Sequence, residues 1–329
     1  MMIKQPHALL IMRFKVQNAN AISSTLTWGF PPPSAFTGFA HALSLRLQKD
    51  PELADIEGLT LDGVGIVSHR FEPQTSTPAG KRTQVFALTR NPLTKEGATA
   101  AIVEEGRAHL EVSLIIGVYG GGDFDFSLQA NAEWFANRVY QSACAMRLAG
   151  GSIFAVPSYA NRPAATLTSW PEYSKDMEDV TRKLRPRLLP SFALMSRDDL
   201  LKSHLASLQQ TQPDATALDA LLDLSRLNID CTQDEHHPDK GHWHIRKKQG
   251  WLVPLPVGYA AISELYPAGT VKNARDPQTP FCFVESILSL GEWRSPHRIN
   301  NLSHLLWFHS AEPESGLYRC TQPFAPTVK

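Results

Sequence analysis

The sequence lacks the features that mark secreted, membrane-spanning and disulfide-stabilised proteins. No apolar run approaches the roughly 18 residues that a membrane-spanning helix needs, and residues 1–6 lead into the first predicted strand without a signal-peptide pattern. The four cysteines stand far apart and include no C-x-x-C pair, which argues against a disulfide framework or a thiolate metal site. We therefore expect a cytoplasmic protein with reduced cysteines, no cofactor and no contact with a membrane.

Net charge is also absent. In 329 residues, 32 Lys and Arg balance 32 Asp and Glu, so any nucleic-acid binding must rest on local patches and not on the field of the whole molecule. Hydrophobic residues make up 43% of the chain, which is enough for one large core or two ordinary ones.

Residues 9–48 predict a strand, a polar loop and a helix. The side chains of residues 9–16 would point alternately to the two faces of a strand, which places Leu10, Met12, Phe14 and Val16 on one face. The helix begins after an expected N-cap at Ser34 and carries one apolar stripe along its length. The stripe comprises Phe36, Phe39, Ala40, Leu43 and Leu47.

The loop between this strand and helix combines polar side chains with an aromatic ring. Asn18, Asn20, Ser23 and Ser24 donate and accept hydrogen bonds, and Trp28 precedes three stiffening prolines. Such a loop can read the edges and faces of RNA bases. The alternative is that the polar side chains satisfy their own turns and Trp28 fills the core.

The first half of the chain reads as β, α, β, β, α, β. After the first helix come predicted strands at 63–71 and 107–118, a helix at 127–148 and a strand at 147–153. This is the ferredoxin-like order of an α+β fold, in which two helices cover one face of an antiparallel sheet and leave the other open for a partner. The outward positions of the third strand would hold Glu111 and Ser113, and not the aromatic residues of an RNA-recognition motif.

Residues 72–105 interrupt this order and predict a β-rich arm. The segment is too long for an ordinary loop, and residues 83–89 have the β-propensity to form part of it. It carries several basic residues, so RNA contact is expected from the arm, from Arg147 and from a glycine corner that can approach a phosphate. The alternatives are a solvated excursion and a simple turn. The expected contact residues are Arg70, Lys81, Arg82, Arg90, Arg147, Gly150 and Gly151.

The second half is less regular. We expect the palm to end near residue 156 and residues 157–250 to hold a linker, a helical hairpin and a charged loop. Capping boxes at Ser196 and Thr216 predict helices at 197–210 and 217–227. Residues 154–180 are expected to be irregular, and the basic run at 181–187 is expected to be a solvated surface.

A group of histidines and three tryptophans complete the candidate sites. His236, His237, His242 and His244 lack helical i, i+4 spacing, so we expect solvated surface and not a metal site. Residues 251–329 are expected to pack on the palm and to present apolar surface to another subunit. The predicted interface residues are Trp251, Trp293 and Trp307.

Long stretches of the sequence resemble a known family. They include QNANAISSTLTWGFPPPSAFTGFAHAL, DGVGIVSHRFEPQTSTPAGKRTQVFALTRNPL, MRLAGGSI, GWLVPLPVGYAAISELY and HLLWFHSAEPESGLYR. The chain resembles the second Csy subunit family of type I-F CRISPR surveillance complexes, a Cas-five-type branch of the RAMP superfamily. The resemblance is weakest at 154–180 and 229–248.

The resemblance implies a ferredoxin-like palm with a thumb between its second and third strands. It also implies a heterodimer with the large Csy subunit that holds the 5′ handle of CRISPR RNA beside the backbone Csy subunit of the filament. Target DNA would be met through the assembled complex, and guide processing would belong to another subunit.

Three classes of function follow. The first is a non-catalytic RNA-binding subunit. The second is a metal-independent RAMP endonuclease, in which His41 or His69 would act as general acid or base. The third, a structural adaptor that touches only proteins, fits the polar loop and the basic arm least well.

Overall fold

The computed structural model describes residues 4–90, 93, 95–99, 102–159, 163–233, 241–274 and 276–324. His236 and His237 lie outside these residues, as does the side chain of Arg90. In the described part of the chain, no helix is long and apolar enough to cross a bilayer.

Strands make up most of the regular structure. In the first half of the chain they are β1 (Ala8–Asn20), β2 (Thr60–Pro73), β3 (Thr75–Ser76), β4 (Val85–Phe86), β5 (Leu88–Arg90), β6 (Ile102–Glu104), β7 (Arg107–Tyr119), β8 (Arg147–Leu148), β9 (Gly151–Ala155) and β10 (Ala165–Ser169). In the second half they are β11 (Phe192–Ser196), β12 (Ile229–Gln233), β13 (Gly241–Ile245), β14 (Trp251–Ala261), β15 (Val284–Arg294), β16 (Leu306–Glu312) and β17 (Leu317–Thr321).

The α-helices are α1 (Pro33–Leu47), α2 (Gln129–Cys144), α3 (Ser174–Leu184), α4 (Asp198–Thr211) and α5 (Ala217–Ser225). Short 3-10 helices span Arg185–Leu188, Pro296–Arg298 and Leu302–Leu305. The α+β class expected from the sequence is therefore confirmed.

The main sheet is antiparallel, and β2 lies at its centre. On one side of β2 the order is β2, β7, β1, β9, β8, with β10 pairing the start of β1. On the other side β2 pairs with β16 at Val64 and Gly65 and with β11 at Val67 and Ser68. Because β16, β17, β14, β15 and β11 are paired in turn, the sheet curls round and closes on β2.

One face of the sheet packs on α1 and α2. The side chains of Phe14, Phe36 and Phe135 are fully buried there, and the Phe14 ring stacks on Tyr140 at a centroid distance of 5.1 Å. The predicted stripe of α1 is buried along its whole length. Ser34, however, is not the N-cap, because the helix begins at Pro33 with Pro32 at the cap, two residues earlier than predicted.

The expectation that the opposite face stays open is wrong for much of the sheet. Leu9, Ile11, Val67 and Ile115 on that face are buried. They pack against residues from α3, from the 3-10 helix that follows it and from the C-terminal part of the chain, which are Met177, Leu184, Leu188, Leu302, Leu305, Leu306 and Phe308. Both faces of β1, β2 and β7 are therefore covered over this length, which explains why their sequences are apolar on both sides.

Several predictions for the second half need correction. Residues 154–180 are not simply irregular, since they contain β10 and the start of α3. The box at Thr216 is confirmed, with the Asp219 backbone N–H donating to Thr216 Oγ1. The box at Ser196 is wrong, because Arg197 occupies the cap position of α4 and makes no side-chain capping bond.

Candidate functional site

Asn18 lies at an irregularity in β1 and connects the strand to the base of the arm. The pairing of β1 with β7 shifts register between Val16 and Ala19, and Asn18 adopts a φ of 57°. This left-handed conformation is accessible to asparagine. The Asn18 Oδ1 accepts a hydrogen bond of 2.6 Å from Gln74 Nε2, so its side chain stabilises the entry to the arm.

The turn that follows is held by its own polar side chains. Asn20 Oδ1 accepts from the Ile22 backbone N–H at 3.1 Å, and Asn20 Nδ2 donates to the Ile22 carbonyl at 2.9 Å. Ser23 Oγ and Ser24 Oγ lie 2.9 and 2.7 Å from Thr27 Oγ1. The polar side chains of Asn20, Ser23 and Ser24 therefore satisfy their own turn, as the alternative interpretation expected. These bonds hold the turn in one conformation, so its surface is pre-organised.

Trp28 does not fill the core. Its side chain is 59% exposed, and its ring makes an edge contact with Phe86 of the arm at a centroid distance of 5.3 Å. Trp28 also forms an isolated bridge with Ile22. The loop and the base of the arm therefore form one surface.

A cavity of about 660 Å³ lies on one side of the loop. It brings Asn20 and Ser23 together with the glycine corner at Ala149 and Gly150 and with two tyrosines, Tyr259 and Tyr318. We call it the polar cavity. Its walls combine hydroxyl groups, an amide and aromatic faces, which are the groups that bind unstacked bases.

The two glycines of the corner differ in role. Gly150 is exposed with a φ of 76°, and no atom would lie within 4 Å of an added Cβ. Gly151 is buried, and an added Cβ would lie 2.7 Å from the Gln17 carbonyl oxygen and from Val16 Cγ1. The prediction that Gly151 contacts RNA is therefore corrected, because the residue is needed for close packing of β9 on β1. The exposed Arg147 donates to the Gly150 carbonyl oxygen, which supports the corner.

Tyr259 and Tyr318 were not identified from the sequence. They are cross-strand partners on β14 and β17, with ring centroids 6.2 Å apart. Burial raises the pKa of Tyr318 above its ordinary value. The unbroken apolar run at residues 251–257 could have indicated a buried strand, but its pairing with β17 is not encoded locally.

The basic residues do not join the polar residues in this cavity. Arg70 is exposed and pairs with Glu72 at 2.9 Å, while Lys81 and Arg82 are exposed near the tip of the arm. Arg90 belongs to β5. The structure therefore separates the basic side chains of the arm from the polar cavity, while Gly150, also a candidate phosphate contact, lines that cavity.

A second cavity, of about 650 Å³, lies on the other side of the same loop. Its wall is aromatic and includes Trp28, Phe30, Phe192, Trp251 and Trp293. We call it the aromatic groove. Two of the three predicted interface tryptophans line it.

Trp307 does not belong to this surface. Its side chain is fully buried, and its indole Nε1 donates to the Leu194 carbonyl at 3.1 Å. The prediction that Trp307 contacts another subunit is therefore corrected, since its ring connects β16 to β11 inside the closed part of the sheet.

The two candidate histidines occupy different environments. His69 Nε2 lies 2.8 Å from Ser113 Oγ, and its Nδ1 lies 3.0 Å from the Pro190 carbonyl oxygen. Both ring nitrogens are thus engaged in the fold. His41 is exposed beside His309, with ring centroids 5.8 Å apart, and neither histidine lines the polar cavity. Among the described residues, no group of three His, Cys, Asp or Glu could hold a metal ion.

Comparison with known proteins agrees with the resemblance seen in the sequence. The family model described as CRISPR-associated protein (Cas_Csy2) matches residues 9–320. The chain is 54% identical to CRISPR-associated protein Csy2 of Pseudomonas aeruginosa (strain UCBPP-PA14) over 331 residues, which is 98% of each chain. The resemblance is thereby confirmed, and the chain belongs to the Csy2 family of CRISPR-associated proteins, the type I-F Csy subunits.

Proposed function

We propose that this chain is a cytoplasmic, non-catalytic subunit that binds CRISPR RNA and acts in RNA-guided recognition of foreign DNA. With the large Csy subunit it holds the 5′ handle of the guide, next to the backbone Csy subunit of the filament. Target DNA is reached only through the assembled complex. The polar cavity is the observation that carries this proposal, because it joins the loop, the glycine corner and two tyrosines in one concave surface.

The arrangement of the strands supports a ferredoxin-like palm. The four strands predicted from the sequence pair in the order β2, β7, β1, β9, all antiparallel, which is the order of the split βαβ fold. The arm lies between β2 and β7, the position of the thumb that the family resemblance implies. The loop and the arm then lie at the same end of the palm's strands, since the loop follows β1 and the arm joins β2 to β7.

The arm and the polar cavity should bind RNA through different interactions. Lys81 and Arg82 on the arm act through phosphate charge, so their loss weakens binding to any RNA sequence. Each lost contact flattens the dependence of log K on log salt by about 0.7 for single-stranded RNA. Tyr259 acts by stacking on a base, so Tyr259→Ala costs about 1–3 kcal/mol for the correct handle and leaves the salt slope unchanged.

The test is a titration of the reconstituted pair with handle and scrambled RNAs at several salt concentrations. Lys202→Ala on α4 and Tyr173→Ala, both at exposed positions, are the matched controls and should bind as the unmodified chain does. Equal losses for both RNAs in Tyr259→Ala would show that the polar cavity does not read bases. Absence of RNA binding by the unmodified pair would overturn the proposed function itself.

The endonuclease alternative rests on His41, because His69 is engaged on both ring nitrogens. Incubation of the pure chain with repeat RNA distinguishes the two functions. We expect intact RNA, whereas cleavage that His41→Ala abolishes would establish the nuclease.

A further inference from the structure

The aromatic groove has a continuous wall built from four separate parts of the chain: the loop, β11, β14 and β15. The Phe192 and Trp251 centroids are 5.3 Å apart, Trp251 and Trp293 are 6.5 Å apart, and Trp293 and Phe30 are 4.9 Å apart. Trp28 adds a further exposed ring to the lining of the groove. Trp251 is 57% exposed, so a large apolar surface faces a concave space of about 650 Å³.

Four polar side chains that border the groove, those of Ser23, Thr27, His69 and Arg70, are already bonded within the chain. His69 is engaged by Ser113 and Pro190, Arg70 pairs with Glu72, and Ser23 bonds to Thr27. Arg70 is the one Lys or Arg among the described lining residues, and its charge is balanced by Glu72. The charge of the groove is therefore complementary to an uncharged apolar occupant, and a phosphate backbone would find no uncompensated cation there.

The strand edge beside the groove is built against strand addition. Residues 251–256 of β14 pair with β15 on one edge, and no described strand pairs with their other edge. Pro254 and Pro256 lie opposite Leu290 and Leu288 within the β15 ladder. Because proline has no N–H, prolines are tolerated where that position faces away from the ladder. The free edge therefore lacks two backbone donors, which disfavours strand addition and favours an occupant that binds through its side chains.

We infer that the aromatic groove is the docking site for an uncharged segment of a protein partner, anchored by bulky aliphatic or aromatic side chains. Exposed tryptophans around a concave apolar surface are the composition of energetic centres in protein interfaces. Trp28 then contacts protein, and not RNA bases as the sequence suggested. The inference rests on the proposed function, which makes the large Csy subunit the partner to use as probe.

The test compares groove variants with variants of matched residues elsewhere on the surface. Trp251→Ser removes an aromatic wall, and Leu26→Asp places a charge on the rim, where Leu26 is 75% exposed. The controls are Trp243→Ser on β13, where the ring is 73% exposed, and Leu265→Asp, also at an exposed leucine. Near-ultraviolet circular dichroism and thermal melting establish that each variant is folded.

Each full-length variant is titrated with the large Csy subunit at low and at high salt. We expect Trp251→Ser and Leu26→Asp each to weaken the pair at least tenfold, with a similar loss at both salt concentrations because the lost contact is apolar. The controls should bind within twofold of the unmodified chain. Affinity for handle RNA is measured at large-subunit concentrations that saturate each variant, and it should be unchanged.

Unchanged affinity of both groove variants for the large subunit would overturn the inference. A loss of handle RNA affinity at saturating partner would overturn it in favour of a base-binding groove. Neither result depends on Tyr259, so the proposed role of the polar cavity can fail or hold separately.

Discussion

At the scale of single residues, the least obvious feature is the carboxylate of Glu292. It is buried on β15, where its Oε2 accepts hydrogen bonds from Arg197 at 2.6 Å and from Arg294 at 2.8 Å. Burial alone would raise the pKa of Glu292, but the two guanidinium groups outweigh it and hold the pKa below its ordinary value. Folding therefore favours the ionised form.

Replacement of this carboxylate should be costly near neutral pH and harmless in acid. Since the folded pKa is depressed, the stabilisation is present above about pH 4.5, the ordinary value, and is lost as the pH falls through the folded pKa. We expect Glu292→Gln to lower the free energy of unfolding by about 3 kcal/mol at pH 7, because the partly buried guanidinium groups of Arg197 and Arg294 lose a shared carboxylate, while Arg197 keeps Asp199.

Urea unfolding between pH 7 and pH 3 provides the measurement. Glu285→Gln, at an exposed position on the same strand, is the control and should change little at any pH. A difference between Glu292→Gln and the unmodified chain that persists undiminished at pH 3 would contradict the assignment.

At the scale of elements, replacement of a glycine by alanine should stabilise the protein at one position and strain or destabilise it at two others. Gly38 lies on the exposed side of α1, and an added Cβ would meet nothing within 4 Å. Gly38→Ala should therefore stabilise the protein by about 0.5–1 kcal/mol, since alanine is the better helix former. Gly151→Ala should destabilise it, because its Cβ would enter the backbone of β1. Gly150→Ala has the space but would be strained by its φ.

Thermal melting of the three variants tests these signs. Handle RNA binding separates the two glycines of the corner further, since Gly150 lines the polar cavity and Gly151 does not. A melting temperature of Gly151→Ala equal to that of the unmodified chain would show that β9 and β1 are not packed as described.

The elements also show how far the sequence could predict the structure. Strand β1, helix α1, strand β7 and helix α2 follow from local periodicity, and the capping box at Thr216 is complete within four residues. The burial of Leu9 and Ile11 could not be foreseen, because their partners lie about 170 or more residues away on α3 and near Leu302. The same holds for the polar cavity. Asn20 and Gly150 could be identified from the local sequence, whereas Tyr259 and Tyr318 reach the cavity through pairing of distant strands.

At the scale of the whole molecule, residues 1–156 share strand pairings and a hydrophobic core with the rest of the chain. Strand β2 pairs with β7, β16 and β11, and the second hydrophobic core joins residues from β1 to the C-terminal region. We expect the full chain to unfold in a single transition, and residues 1–156 expressed alone to remain unfolded or aggregated because one face of their sheet is uncovered.

Amide hydrogen exchange on the fragment and on the full chain would measure this difference. Addition of residues 157–329 as a separate polypeptide should restore protection in β1 and β2. A well-protected fragment 1–156 on its own would show that the palm is an independent domain.

The pairing of β2 with β16 has a consequence for folding of the protein during its translation. Strand β2 is complete at Pro73, but Leu306 and Trp307, which pair with it, are made more than 230 residues later. At about 5–20 residues per second, the edge of β2 that pairs with β16 and the apolar face beside it remain exposed for roughly 10–50 s, until β16 has been synthesised. Nascent chains in this interval are natural clients of chaperones, and slow translation of the second half should lower the yield of folded protein.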